Sequence, residues 1–126
     1  MKPTYLHFKS RHELLRIDPA SIVYFEADGN YIDIVTMNGM RTTVCVSLAQ
    51  MQQLLSTTLK EQASIFVRIG KKHIVNHTYL FQVDYSKQKL VLSDGVRFAF
   101  QINIPKESLR KFKELYVATL EAASAR

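Results

Sequence analysis

The sequence predicts a mainly β domain built from short antiparallel strands, with two helices. Most of its 126 residues fall in short runs rich in β-branched and aromatic side chains, which suit strands. Turn residues join these runs at hairpin spacing, and only two segments carry apolar residues at helical spacing. Consecutive hairpins give antiparallel sheets, so the pattern argues against Rossmann-type and P-loop folds, in which strands alternate with helices.

The first 46 residues predict five strands. The polar Ser10-Arg11-His12 separates the first two runs, and Asp28-Gly29-Asn30 interrupts a later one. Asn38-Gly39 readily takes the two left-handed positions of a type I′ turn, so we expect the runs on either side of it to pair. The predicted strands are Tyr5–Lys9, Glu13–Ile17, Ile22–Phe25, Tyr31–Met37 and Met40–Val46.

The first helix is predicted to begin after Ser47. Ser47 and Gln50 have the spacing of a capping box, in which each side chain satisfies a free backbone N–H at the helix start. The apolar residues that follow fall on one helical stripe: Leu48, Met51, Leu54, Leu55 and Leu59. The polar face consists of Gln, Ser and Thr, so we interpret this helix as packing support and not as a DNA-recognition helix.

The second half predicts five more strands and a C-terminal helix. Asp94-Gly95 is a strong hairpin signal, and the second helix is expected to begin near Pro105, a residue favoured in the first turn. The predicted strands are Phe66–Ile69, Ile74–Val75, Tyr79–Tyr85, Lys89–Ser93 and Val96–Ile102, and the apolar face of the helix is Leu109, Phe112, Tyr116 and Leu120. We expect one domain over residues 1–126, with residues 117–126 forming the helix end and a frayed tail.

Several function classes find no support in the sequence. His73 and His77 lie four residues apart, but on an extended segment that spacing spans about 13 Å, too far for one metal ion. Asp28 stands in a turn signal, and Cys45, between two valines, is predicted to be a small core residue. We therefore expect no catalytic residues, no metal, no cofactor, no small-molecule substrate and no membrane span. With no export signal and a single cysteine, the protein is expected to be cytoplasmic.

The net charge points to a polyanionic partner. Lys plus Arg number 17 and Asp plus Glu number 11, which gives +6. Residues 59–77 carry four cations against Glu61, a net of +3, and the peak falls on the turn Arg68-Ile69-Gly70-Lys71-Lys72-His73. This turn is suited to meeting phosphates or base edges, although it is equally suited to being a solvated hairpin tip. Lys106 and Arg110 form a second cluster at the start of the C-terminal helix, where free N–H groups favour phosphate.

Four blocks of sequence resemble one known family when taken in order. They are residues 22–32 (IVYFEADGNYI), the helix from Ser47 to Leu55, residues 66–76 (FVRIGKKHIVN) and residues 104–112 (IPKESLRKF). In this order and spacing the chain is similar to the LytTR DNA-binding domains of bacterial LytR/AlgR-type response regulators. The resemblance extends over about residues 5–116, nearly the whole chain.

The resemblance implies both a fold and a function. The fold would have about ten short antiparallel strands in three small sheets, with one short inserted helix and a C-terminal helix. The function would be that of a sequence-specific transcription regulator whose loops read successive major grooves of double-stranded DNA at short direct repeats in promoters. Relatives are output domains of two-component response regulators, so the chain is expected to be either a stand-alone regulator or the output part of a longer protein.

The resemblance also implies which residues contact DNA, in three loops. In the first, Asn30 and Tyr31 match a contacting turn; Asn30 would pair with adenine or, alternatively, only accept a left-handed backbone. In the second, Lys71 would read guanine while Arg68 and Lys72 hold phosphates, with His73 beside them. In the third, Lys106 and Arg110 complete the predicted interface, whereas Asn76 is expected to tie a loop together and Tyr24 and Phe25 to lie in the core.

Departures from the family pattern keep a rival interpretation open. Gly70 stands where the family commonly has His, and Lys71-Lys72 stand where it has Arg-Ser. Because lysine lacks the planar fork of arginine, base discrimination could be weaker. The rival is a protein-interaction module that binds a sensor or another regulator and has weak or no DNA affinity. RNA binding would need aromatic residues exposed on a sheet face, whereas most of the Tyr and Phe residues lie in apolar runs.

Overall fold

The computed structural model of the chain describes the backbone of residues 4–124 and the side chains of residues 4–118. Within this range it contains ten strands and two α-helices, joined by short turns. In chain order they are β1 (Leu6–Lys9), β2 (Leu14–Ile17), β3 (Ile22–Asp28), β4 (Tyr31–Thr36), β5 (Arg41–Val44), α1 (Leu48–Leu59), β6 (Phe66–Ile69), β7 (His73–Asn76), β8 (Leu80–Asp84), β9 (Lys89–Ser93), β10 (Ala99–Asn103) and α2 (Lys106–Ser124). The predicted mainly β architecture, with three small antiparallel sheets and two helices, is confirmed.

The chain divides into two compact units. The first holds the residues up to Arg68 together with Lys72–Tyr79, and the second holds Ile69–Lys71 together with the residues from Leu80 onward. The short turn after β6 therefore groups with the C-terminal part of the chain, although the strands on either side of it belong to one sheet.

The first unit contains a five-stranded sheet in the order β5-β4-β3-β7-β6 and the two-stranded hairpin β1-β2. One face of the sheet packs against α1, because strand residues such as Phe25, Ile32 and Ile34 alternate toward it and form one buried cluster with the helix stripe. Leu48, Met51, Leu55 and Leu59 are buried and Leu54 is partly buried, as predicted. The capping box of Ser47 and Gln50 begins the helix.

The second unit contains the three-stranded sheet β10-β9-β8 and helix α2. Leu90, Leu92 and Ile102 of the strands are buried, as are Leu109 and Phe112 of the helix. The helix begins as predicted, since the N–H of Leu109 bonds to the carbonyl of Pro105. The side chain of Leu120 and residues 125–126 of the predicted tail lie outside the described residues.

The structure corrects the predicted turn geometry at two hairpins. Asn38 does not adopt a positive φ, so the turn is not type I′. Instead its side-chain oxygen accepts from the Thr36 hydroxyl at 2.6 Å and from the Met40 N–H at 3.1 Å, which stabilises a longer loop. Asp94 likewise accepts three backbone N–H groups, so the last strand begins at Ala99 and not at Val96.

The prediction that Cys45 lies in the core is wrong. Residues 41–46 alternate between exposed and half-buried, and Cys45 falls on the exposed side while Val44 and Val46 turn inward. Successive side chains of an extended segment point to opposite faces, so a residue between two inward-facing valines points outward.

Candidate nucleic-acid interface

The turn between β3 and β4 presents the first predicted contact residues. Gly29 takes a left-handed backbone with φ +63°, while Asn30 does not. The alternative explanation, that Asn30 is there to accept a left-handed conformation, is therefore wrong. The Asn30 side chain is exposed with no hydrogen-bond partner among the described residues, and Tyr31 is 52% exposed. The amide is thus available to an outside partner.

Lys72 lies at the same end of the five-stranded sheet as this turn. Strands β3 and β7 are antiparallel, with Glu26 opposite His73. The N–H of Ala27 donates to the carbonyl of Lys72 at 2.8 Å, just before β3 ends. Because β3 leads directly into the Gly29-Asn30 turn, the residues that begin β7 stand beside it. Lys72 is exposed and makes no ion pair with any described residue.

Arg68 stands near the end of β6 and is also exposed. One of its guanidinium nitrogens donates to the side-chain oxygen of Gln52 in α1 at 3.0 Å. This contact orients the guanidinium. The polar face of α1 thus contributes one contact to the neighbourhood of the basic turn.

In the second unit, the turn residues Ile69–Lys71 lie against the first turns of α2. Gly70 has φ +67°, and a Cβ built there would lie 3.1 Å from the hydroxyl of Ser108. Lys71, Lys106 and Arg110 are exposed. Lys106 and Arg110 are four residues apart and share a face of the helix, whereas the 100° rotation per residue places Ser108 on another face. In this unit, the backbone of the second predicted contact loop therefore lies against the start of α2, which carries the third group of predicted contact residues.

His73 is not available as predicted. Its side chain is 8% exposed, and its Nε2 lies 3.0 Å from a carboxylate oxygen of Glu26. An ionised carboxylate can only accept, so Nε2 carries the proton in this bond. To reach DNA, the imidazole would have to leave both its buried position and its partner, so His73 is not positioned as a contact residue.

Three other residues are where the sequence predicts them. Tyr24 and Phe25 are buried, as expected of core residues. Asn76 is 1% exposed; its amide donates to the carbonyl of Ile22 at 2.9 Å and accepts from the N–H of Thr78 at 3.0 Å. It therefore ties two segments together.

A row of polar side chains crosses the sheet next to the contact turns. His73, Glu26, Asp33 and Thr43 are register partners on four neighbouring strands. Glu26 and Asp33 are like charges, and Arg41 pairs with both of them. Partial burial raises the pKa of Glu26, but hydrogen bonds and charges from His73 and Arg41 lower it by more, so its pKa lies below the ordinary 4.5.

The sequence alone does not identify this row. Tyr24 and Glu26 alternate with Phe25 and Ala27 along β3, which places Glu26 on the face away from α1. This alternation can be read from the sequence. The pairing of Glu26 with His73, 47 residues later, cannot be read from it, because the pairing depends on strand order and register.

The described residues contain no group of three or more His, Cys, Asp or Glu side chains placed to hold a metal ion. No helix in that range is long and apolar enough to span a membrane.

Comparisons of the chain with protein families and with solved structures both give matches. The family model for the LytTr DNA-binding domain matches residues 12–116. Among solved structures, the fold is similar to the LytTr DNA-binding domain of a Bacillus cereus protein assigned as a methyl-accepting/DNA response regulator. The TM-score is 0.65 at 16% identity, over 90% of this chain and 96% of that one. A search of curated protein sequences found no match.

Proposed function

This chain belongs to the LytTR family of DNA-binding domains, and on that premise we propose that it is a transcription regulator that recognises specific sequences in double-stranded DNA. We propose that its loops, and not a dedicated recognition helix, enter successive major grooves, with Lys106 and Arg110 contributing from the start of α2. The contact residues would be Asn30, Tyr31, Arg68, Lys71, Lys72, Lys106 and Arg110.

The observation that carries this proposal is the contrast between fixed backbone and free side chains at the predicted contact sites. The Lys72 backbone is bonded to β3, and Gly70 lies against α2. The side chains of Asn30, Lys71 and Lys72 nevertheless have no partner in the part of the chain that the structure describes. Amide and ammonium groups held out in this way suit base edges and phosphate oxygens.

We assign different roles to these residues. Asn30 can donate to and accept from adenine, and Lys71 can donate to guanine O6 or N7. Lys72, Arg68 and Arg110 would neutralise phosphates, which adds affinity without sequence information. The expected targets are short direct repeats in promoters, each pair occupied by two domains. In that role the protein would act in the cytoplasm as the output module of a signalling pathway.

Selection from a random duplex pool, followed by titration of the winning site, tests the proposal. We expect Lys72→Ala and Arg110→Ala to weaken binding to all duplexes and to reduce the log–log salt slope by about 0.9 for each phosphate that is no longer neutralised. Lys71→Ala should instead cost about 1–3 kcal/mol at the selected site and relax base preference there. Lys9→Ala removes the same charge from β1, outside the predicted interface, and serves as the matched control.

The rival function, a module that binds a sensor or another regulator, predicts a different outcome. No duplex would then be enriched at about 150 mM salt, and Lys9→Ala and Lys72→Ala would behave alike. If Lys71→Ala showed the same loss of affinity and the same base preference as Lys72→Ala and Arg110→Ala, the division between base reading and phosphate binding would be wrong.

A further inference from the structure

The buried imidazole of His73 and the half-buried carboxylate of Glu26 form a pair directly beside Lys72, a predicted phosphate contact. We infer that Glu26 and His73 are positioning residues for Lys72. The inference rests on the proposed function, because it concerns how that function's side chain is aimed.

The pair is held from both sides. One carboxylate oxygen of Glu26 lies 3.0 Å from Nε2 of His73, and the other accepts from the guanidinium of Arg41. The imidazole is buried beside the ring of Tyr24, with centroids 6.3 Å apart. With both oxygens engaged, Glu26 has little freedom to release His73.

The Glu26–His73 contact restricts Lys72, the residue before His73. Lys72 has one main-chain bond, from the N–H of Ala27 to its carbonyl at 2.8 Å, and it lies just outside β7. Strand ends fray when a single bond holds them. The side-chain bond of His73 adds a second anchor at the next residue, so two consecutive residues fix the direction in which Lys72 leaves the sheet.

A role in positioning explains the pair better than a role in stability does. The carboxylate of Glu26 is 34% exposed, so solvent weakens its attraction for the imidazole and the contact adds little net stability. The contact does impose one geometry, because a buried imidazole that leaves this carboxylate has no other hydrogen-bond partner among the described residues.

The experiment compares two amides at position 73. In His73→Gln the amide nitrogen stands in for Nε2 and keeps the bond to Glu26, whereas in His73→Asn it stands in for Nδ1 and falls short. Hydrogen exchange of the Ala27 amide reports the Lys72 anchor directly. The Met37 amide, which donates to Ser21 at the opposite end of β3, is the internal control.

We expect His73→Asn to speed exchange at Ala27 about tenfold and to leave Met37 unchanged. Affinity for the selected duplex should fall about fivefold, with no further fall when His73→Asn is added to Lys72→Ala. His73→Gln should restore both quantities. Thr43→Val removes a hydrogen bond from the same polar row, two strands away from Glu26, and should change neither.

Five results would overturn the inference. Unchanged Ala27 exchange in His73→Asn would show that the pair does not anchor Lys72. Additive losses in the double variant, or faster exchange at both amides, would indicate a general structural role. If the unsubstituted protein selected no duplex, the proposed function would fail and the DNA-positioning role with it. Duplex binding that His73→Asn leaves intact would refute the positioning role alone.

Discussion

Replacement of Gly70 by alanine tests the contact between the basic turn and α2. The added Cβ meets two separate penalties. The first is backbone strain, since φ is +67°, a region that L side chains rarely adopt. The second is crowding, since that Cβ would lie 3.1 Å from the hydroxyl of Ser108 and 3.5 Å from its Cβ.

Gly29→Ala isolates the first penalty. Gly29 has nearly the same φ, +63°, and an added Cβ meets nothing within 4 Å. We expect Gly29→Ala to lower the free energy of unfolding by about 1 kcal/mol through strain alone. Gly70→Ala should lower it by about 2 kcal/mol, because the crowded contact adds about 1 kcal/mol of overpacking.

The assay is urea unfolding of four proteins: Gly29→Ala, Gly70→Ala, Ser108→Ala and the Gly70→Ala/Ser108→Ala double variant. Removal of the Ser108 hydroxyl leaves only the ordinary 3.5 Å contact, so the double variant should fall to the Gly29→Ala level. The expected coupling between the two sites is about 1 kcal/mol. Equal losses in Gly29→Ala and Gly70→Ala, with no coupling to Ser108, would refute the close approach of the turn to the helix.

Three further variants have defined outcomes. Ser47→Ala removes the capping box of α1 and should lower the free energy of unfolding by about 1 kcal/mol in urea, with no loss contradicting the cap. Asn76→Ala leaves the carbonyl of Ile22 and the N–H of Thr78 without their partner, and should cost about 3 kcal/mol in the same assay; a loss below about 1 kcal/mol would mean that water replaces the amide. The pKa of Glu26 is lower in the folded than in the unfolded protein. The carboxylate therefore contributes to the free energy of unfolding above about pH 4.5, and this contribution is lost as the pH falls through the folded pKa. A Glu26→Gln variant should flatten the dependence of the free energy of unfolding on pH in that acid range.

The features of the fold that the sequence predicts are those that depend on local chemistry. Leu48, Met51, Leu55 and Leu59 are buried because a 3.6-residue repeat and a capping box define both the face and the start of α1. The hairpins are predictable because turn residues separate β-branched runs. Turn geometry is less predictable: at Asn38 and Asp94 the side chain bonds to the backbone of its own loop, and those bonds change the loop length.

The candidate site is predictable only in its exposed part. Asn30, Lys71 and Lys72 lie in turns that residue type alone indicates. The burial of His73 is not predictable, because it depends on the register that places His73 opposite Glu26 on two strands that are paired in the sheet but distant in sequence. In sequence, a histidine after two lysines in a turn is indistinguishable from a third member of a basic patch.

Lys71 and Lys72 stand where the family commonly has Arg-Ser, and this difference makes the contacts that hold their backbone important for the proposed DNA recognition. An arginine fork recognises guanine through its own shape, because two donors must match two acceptors. A lysine ammonium is a flexible point charge without a planar fork, so the base selectivity proposed for Lys71 would depend on where the backbone directs it. Gly70 against Ser108 supplies that direction in one unit, and Ala27 with the Glu26–His73 pair supplies it for Lys72 in the other. Under the proposed function, changes in these supporting contacts are therefore expected to alter DNA recognition, in addition to changes in the proposed contact side chains themselves.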